Sequence, residues 1–423
     1  MRIIRQSKEF LNFLKKTRKR TTSNPEIEKT VKKILDEVIK KGDKALFKYN
    51  KIFDKHNLPI KITFDEIQEN SKKVSKDIVD AILFAAERIR KFHERQIEKS
   101  WQYEEGDITL GQIVRPLERV GVYVPGGKAS YPSTVLMNII PAQVAGVDEI
   151  IVCVPTPYGE INPVVCTTLE VLNIKEVYRV GGAQAIAAMA YGTQTIKKVN
   201  KIVGPGNIYV ATAKRLVFGE VDIDMIAGPS EILIIADNSA NPIFVAADML
   251  SQAEHDEMAC SVLITTSQDL AQAVVKEIKK QLRSLPKASI AKESIKNFGA
   301  IIIVKSLEEA CHIANTIAPE HLEIITENPD EVLPLIKNAG AIFLGPWTPE
   351  PIGDYVAGPN HTLPTSGTAR FFSPLGVYDF VKKSSLIKVG EKGFKKLAPY
   401  VEILASIEGL NAHANTVKVR KTT

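Results

Sequence analysis

At 423 residues, 44% hydrophobic and 25% charged, the chain has the make-up of a globular protein with room for two or three cored domains. A net charge of +6 is mild for this length and argues against a strongly basic nucleic-acid binder. No apolar run nears the roughly 20 residues of a membrane span.

Residues 1 to about 100 read as charged, amphipathic helix. The densest basic run, Lys15-Lys16-Thr17-Arg18-Lys19-Arg20, lacks interleaved aromatics and reads as a solvated face. Ile27, Val31, Ile34, Leu35, Val38 and Ile39 share one face of a helix begun at Pro25. A second helix, begun at Thr63-Phe64-Asp65-Glu66, carries Val79, Ile82, Leu83, Ala86 and Ile89. His56 and His93 fall here as surface or packing residues. The opening Met1-Arg2-Ile3-Ile4-Arg5 has no secretory pattern, so a reducing cytoplasm is the expected location.

From about 110, strand and helix alternate. Strand Val120–Pro125 runs into Gly126-Gly127, with a helix over Thr134–Ala145 and then strand Ile150–Val154. A helix near 162–173, strand Val177–Val180, and a helix opened by Gly181-Gly182-Ala183-Gln184 follow. Lys201-Ile202-Val203 then leads into Gly204-Pro205-Gly206-Asn207 and a fourth helix. Further strands are expected at Glu231–Ala236, Ser261–Thr266, Ile301–Val304, Leu322–Thr326 and Ala341–Leu344, and a last helix over 391–407. This order predicts an α/β fold of two doubly wound parallel-sheet domains with helical N-terminal and C-terminal extensions, the border lying near Ala227-Gly228-Pro229-Ser230.

Ligands of such sheets gather at the carboxyl ends of the strands. The three glycine turns there suit a pyrophosphate, or are only tight turns, since no Gly-x-Gly-x-x-Gly follows any strand. Of four cysteines, none forms a C-x-x-C pair, which argues against a thiolate zinc site or a disulfide framework. Histidine is scarce at seven, and Glu254-His255-Asp256, Glu320-His321 and Glu408 with His413 pair it with acids. With Asp354, from the aperiodic stretch Gly345–Arg370, these residues would suit zinc, although each histidine taken singly reads as packing or surface. Gln252 and His255 share a helix face and could converge on a ligand, although His255 taken alone reads first as a cap on helix carbonyls. On residue chemistry alone Glu254 or Asp256 is the better metal ligand. Glu320 and His321 would serve one site only if Pro319 bends the chain before the strand settles, giving two proton acceptors of different pKa. His413, near the end of the sequence, would need its tail docked on its own body or on a neighbour's.

Taken in order, Gly204-Pro205-Gly206-Asn207, Ala227-Gly228-Pro229-Ser230-Glu231, Gln252-Ala253-Glu254-His255-Asp256, Ala318-Pro319-Glu320-His321-Leu322-Glu323, Gly353-Asp354-Tyr355, Gly358-Pro359-Asn360-His361-Thr362-Leu363-Pro364-Thr365, Glu408-Gly409-Leu410 and Ala412-His413 resemble the histidinol dehydrogenase family over nearly the whole chain. The resemblance implies zinc-dependent oxidation of L-histidinol to L-histidine through a bound aldehyde, using two NAD. It implies one zinc per subunit on Gln252, His255, Asp354 and His413, the last donated across a homodimer. Tyr123, Gln184 and Asn207 would contact NAD. Ser230, Gln252, His255, His321, Asp354, Glu408 and His413 would surround the substrate. His321 would be the base for the alcohol step and Glu320 the residue that activates water for the aldehyde step. No nucleic acid and no membrane partner is implied. The expected division is an arm over 1–20, a catalytic and zinc domain of 21–122 plus 231–375, an NAD domain of 123–230, and an arm over 376–423 that reaches the partner's site. Rival readings are a related dehydrogenase acting on another amino alcohol or polyol, a zinc hydrolase using Glu320, and a nucleotide-binding regulatory protein.

Overall fold

The structure, a computed structural model, describes residues 1–5, 7–18, 20, 24–126 and 131–421. Gly127 of the first glycine turn and Lys19 of the basic run lie outside the described residues. The strands in chain order are β1 (Arg2–Ile4), β2 (Lys61–Ile62), β3 (Trp101–Glu105), β4 (Ile108–Pro116), β5 (Arg119–Tyr123), β6 (Glu149–Val154), β7 (Glu176–Arg179), β8 (Lys201–Val203), β9 (Asp222–Ile223), β10 (Glu231–Ala236), β11 (Cys260–Thr265), β12 (Ala300–Ile303), β13 (His321–Ile325), β14 (Ala341–Leu344) and β15 (Val381–Val389).

Two six-stranded sheets share one order. The first runs β2-β7-β6-β5-β8-β9 and the second β1-β12-β11-β10-β13-β14. Every pairing is parallel except β2 with β7. In each, the chain winds outward from a central strand to one side and then to the other. The winding reverses between β5 and β8 and between β10 and β13, which creates a crevice at each point. Both faces of each sheet are covered, so the strands read as unbroken apolar runs. The two-residue period sorts them: Val120 and Val122 pack on one face of β5 and Tyr123 on the other. Ile232 and Ile234 pack on one face of β10, Leu233 and Ile235 on the other.

The helices between Pro25 and His93 cover the first sheet. Val31, Ile34, Leu35 and Val38 join the face that holds Tyr123, and Ile82 and Ile89 join the face that holds Val122. These helices therefore differ from the expected grouping of 21–122 with 231–375. Periodicity identifies the buried side of a helix but not the sheet it lands on. Ile39 and Leu83, on the expected apolar faces, are exposed, and the helix begun at Thr63 stops at Ser71 and resumes at Lys76. The N-terminal segment adds β1 to the edge of the second sheet and buries Phe13 there.

Residues Ile97–Pro116 and Val381–Thr423 form a separate compact unit, the rest of the chain up to Phe380 the other. This smaller unit is an antiparallel sheet, β15-β4-β3, with helices Glu391–Ile407 and Asn411–Lys421. The Asp107 carboxylate accepts the Lys392 N–H at 2.9 Å and caps the longer helix. No helix among the described residues is long and apolar enough to cross a membrane.

Candidate functional site

Three of the expected residues stand at the carboxyl edge of the first sheet. Tyr123 ends β5, and its hydroxyl accepts the Gly182 N–H at 3.1 Å, where the helix Gly182–Tyr191 begins. Gln184 is buried in the first turn of that helix. β8 runs into Gly204, whose φ of +111° is open to glycine alone, and a Cβ there would lie 2.1 Å from the Tyr123 carbonyl oxygen. The Gly204 N–H donates to Asp224 at 2.8 Å, and its carbonyl accepts from Lys214 Nζ at 2.9 Å. Lys214 and Asp224 pair with each other under the turn. Asn207 caps the helix Ile208–Val217, its Oδ1 accepting from Tyr209 and Val210. Helix starts gathered at this edge favour an anionic ligand.

The remaining expected residues of the larger unit sit at the opposite, amino edge of the second sheet. Helix Pro242–Ala253 runs against its strands and ends there with Gln252 in its last turn; His255 lies past the Glu254 cap, its N–H donating to the Gln252 carbonyl at 3.3 Å, and so stands beyond the helix whose face it was expected to share. Gln252 is 1% exposed, and neither its amide oxygen nor its nitrogen has a hydrogen-bond partner among the described residues. Exposed His255 is still held below its ordinary pKa by the surrounding protein, against the pull of the Asp354 charge. Ala318, left-handed at φ 54°, ends the helix Leu307–Ile317, and Pro319 follows. This is the bend the sequence required, and it delivers both Glu320 and His321 to Glu231, the first residue of β10. Glu320 Oε2 accepts the Glu231 N–H at 2.8 Å, and His321 Nδ1 donates to the Glu231 carbonyl at 3.0 Å.

His321 Nε2 faces Asp354 Oδ1 at 3.3 Å and Glu350 Oε1 at 3.7 Å. Burial opposes a charge on His321, but the carboxylates of Glu320, Asp354 and Glu350 push it up to about 10. Burial raises Glu320 to about 7 against the opposing charge of His321. Burial also raises Asp354, but His321 outweighs it and holds the carboxyl below its usual range. Burial and the nearby Asp354 push Glu350 up to about 9. One ligand atom from each of His321, Glu350 and Asp354 fits within 4.8 Å.

The larger unit thus gathers Glu320, His321 and Asp354, with Ser230 immediately before Glu231. Glu408 and His413 belong to the smaller unit, where both are exposed. Asp256, which looked a better ligand than Gln252, uses its carboxylate to accept the Met258 N–H in its own turn. Of the residues in the stretch 345–370, His361 donates to the Asp354 carbonyl at 3.0 Å and Thr365 accepts from the Gly228 N–H at 2.6 Å. Sequence reasoning missed Glu350 and Glu231. The only signal for Glu350 is its spacing, one helical turn before Asp354. The backbone role of Glu231 has none.

A family model described as histidinol dehydrogenase matches residues 17–421. Histidinol dehydrogenase of Aquifex aeolicus is 56% identical over 399 residues, covering 94% of this chain and 93% of its own. That of Geobacter sulfurreducens is 54% identical, covering 93% of each. The crystal structure of histidinol dehydrogenase from Elizabethkingia anophelis superposes with a TM-score of 0.94 at 41% identity, over 99% of this chain and 97% of that one. The two six-stranded α/β sheets and the buried acid–imidazole pair thus stand in a chain whose relatives are dehydrogenases, which places it among the α/β oxidoreductases. The chain belongs to the histidinol dehydrogenase family.

Proposed function

We propose that the chain oxidises L-histidinol to L-histidine, completing histidine biosynthesis, through a bound aldehyde and with two NAD and one zinc ion per subunit. The observation that carries this reading is the convergence of Glu320, His321 and Asp354 at the edge where Gln252 keeps an unpartnered amide. A buried polar group without a hydrogen bond costs about 1–3 kcal/mol, so the position favours a bound ligand. Gln252, His255, Asp354 and the partner subunit's His413 would hold the metal. Once bound, zinc supplies a template for the substrate's imidazole and amine, and NAD, against Tyr123, Gln184 and Asn207, supplies the hydride acceptor.

His321 takes the alcohol proton at Nε2, because its Nδ1–H is committed to the Glu231 carbonyl. A cation on Asp354 would weaken that carboxylate's hold on the imidazolium and bring His321 down toward a working base. Glu320, poised near 7, takes a proton from the water that adds to the aldehyde, and the hydrate yields the second hydride. No thiolate is needed for this route, and all four cysteines are buried and free. Ser230 and the partner subunit's Glu408 complete the substrate contacts, Glu408 on the amine.

The homodimer is supported by an apolar row on helix Glu391–Ile407. Tyr400, Ile403, Leu404 and Ile407 follow one face and are 58–77% exposed, a stripe that water alone would not favour. Mixing inactive Gln252→Ala and His413→Ala chains should regain roughly a quarter of wild-type sites if the site is shared across a two-fold interface. No regain would place His413 in its own subunit's site or outside any site.

The decisive experiment is NADH absorbance with L-histidinol before and after chelation. Two NADH per substrate, lost on chelation, are expected. NADH from another amino alcohol but not from histidinol would favour a related dehydrogenase, and a chelator-insensitive rate would remove zinc from the reading.

A further inference from the structure

We infer that Arg20 is a positioning residue for the Glu320–His321 pair, acting through Glu231; the inference rests on the catalytic assignment of that pair. A single residue holds both members. The N–H of Glu231 binds the Glu320 carboxylate at 2.8 Å and its carbonyl binds the His321 ring at 3.0 Å. Whatever moves the Glu231 backbone therefore moves the acid and the imidazole together.

The Glu231 side chain is buried at the start of β10, where an unbalanced carboxylate is costly. Its partners are the Arg20 guanidinium and the Ser366 N–H at 3.2 Å. Arg20 itself has no slack. Its Nη1 donates to the Met258 carbonyl at 2.6 Å, its Nε to the Thr17 carbonyl at 3.0 Å, and its guanidinium lies 5.4 Å from the centre of the Phe298 ring. Its side chain is 1% exposed, whereas Lys15, Lys16 and Arg18 of the same basic run are exposed. Arg20 thus departs from the solvated face read from the sequence. Without it, the Glu231 carboxylate would have to take a proton or turn toward water, and either change would tilt the main-chain groups that hold the pair. Arg20 needs no contact with substrate to do this.

The test uses full-length, zinc-loaded enzyme and the variants Arg20→Met, Arg20→Lys, Glu231→Gln, Arg20→Met with Glu231→Gln, and Glu320→Gln. Arg20→Met should lower kcat by about 10- to 100-fold, the scale of a small misplacement at a reacting centre, with KM for histidinol and NAD within about twofold and zinc content unchanged. Arg20→Lys, which keeps the charge, should recover part of kcat. The double variant should lose less than the two single losses combined, because no buried charge is left unbalanced. If Arg20→Met does not fold, the kcat of Glu231→Gln and of the double variant carries the test. A lowered melting temperature with full kcat, additive losses in the double variant, or a loss confined to KM or zinc content would reduce Arg20 to a structural ion pair. Glu320→Gln separates the two layers: full activity there would overturn the catalytic assignment itself, whereas a slow Glu320→Gln beside a fast Arg20→Met would overturn only the positioning role.

Discussion

The two six-stranded sheets wind in the same order, yet the residues proposed for function stand at opposite edges of them. At the reversal point of the first sheet, the carboxyl ends of β5 and β8 open onto glycine turns and helix starts. In the second sheet the corresponding ends of β10 and β13 are bridged by Asp237. Its carboxylate accepts the N–H groups of Ser239 and Glu327, each at 2.9 Å, so the ends of the two central strands are tied together. The residues proposed for the chemistry stand at that sheet's amino edge instead, where Glu231, Glu320 and His321 meet. Residues 224–230 link the two edges along the chain: they leave β9 at its carboxyl end and enter β10 at its amino end. Under the proposed function, the rule that ligands gather at carboxyl ends would describe only the first sheet.

The comparison can be broken hardest at the amino edge. Asp354→Asn removes a proposed metal ligand and a counter-charge of His321, and NADH formation should fall by about a thousandfold or more, with zinc lost in parallel. Retained zinc and rate would move the site elsewhere. Next in size is Glu320→Gln, expected to slow aldehyde oxidation by about 10²- to 10⁴-fold and alcohol oxidation by less. Glu320 accepts a proton only when ionised, so the wild-type aldehyde step should accelerate as pH rises through about 7, and the glutamine variant should lack that limb. Equal damage to both steps would contradict the division of roles.

At the carboxyl edge, Gly204→Ala forces a methyl group against the Tyr123 carbonyl at a strained backbone position, worth about 1–3 kcal/mol. KM for NAD should rise about tenfold or more while KM for histidinol stays put; the reverse pattern would uncouple that edge from the nucleotide. The smallest effect on turnover belongs to the Asp237 bridge. Asp237→Ala should leave kcat within about twofold and cost about 1–2 kcal/mol of stability in denaturant unfolding. A large kcat loss there would show that the second sheet uses both edges.

Much of this frame was legible. The expected strands Glu231–Ala236 and Ala341–Leu344 coincide with β10 and β14, because fully buried parallel strands are short apolar runs between turn residues. The bend at Pro319 was likewise readable. The antiparallel sheet was not: β3 is exposed along its whole length, so it shows no alternation to read. Arg20 and Glu231 were missed for a different reason. Their partnership spans 211 positions of sequence, and a buried charge leaves no periodic trace. Glu350 was hidden in a segment without periodicity, where only spacing to Asp354 marked it.

The setting of the thiols carries a last consequence. Burial pushes Cys153, Cys166 and Cys260 up to about 12 and raises Cys311 as well. At neutral pH the protein therefore offers alkylating agents and peroxide almost no sulfur anion to attack. Reagents that silence catalysts dependent on a reactive cysteine should thus leave its turnover intact.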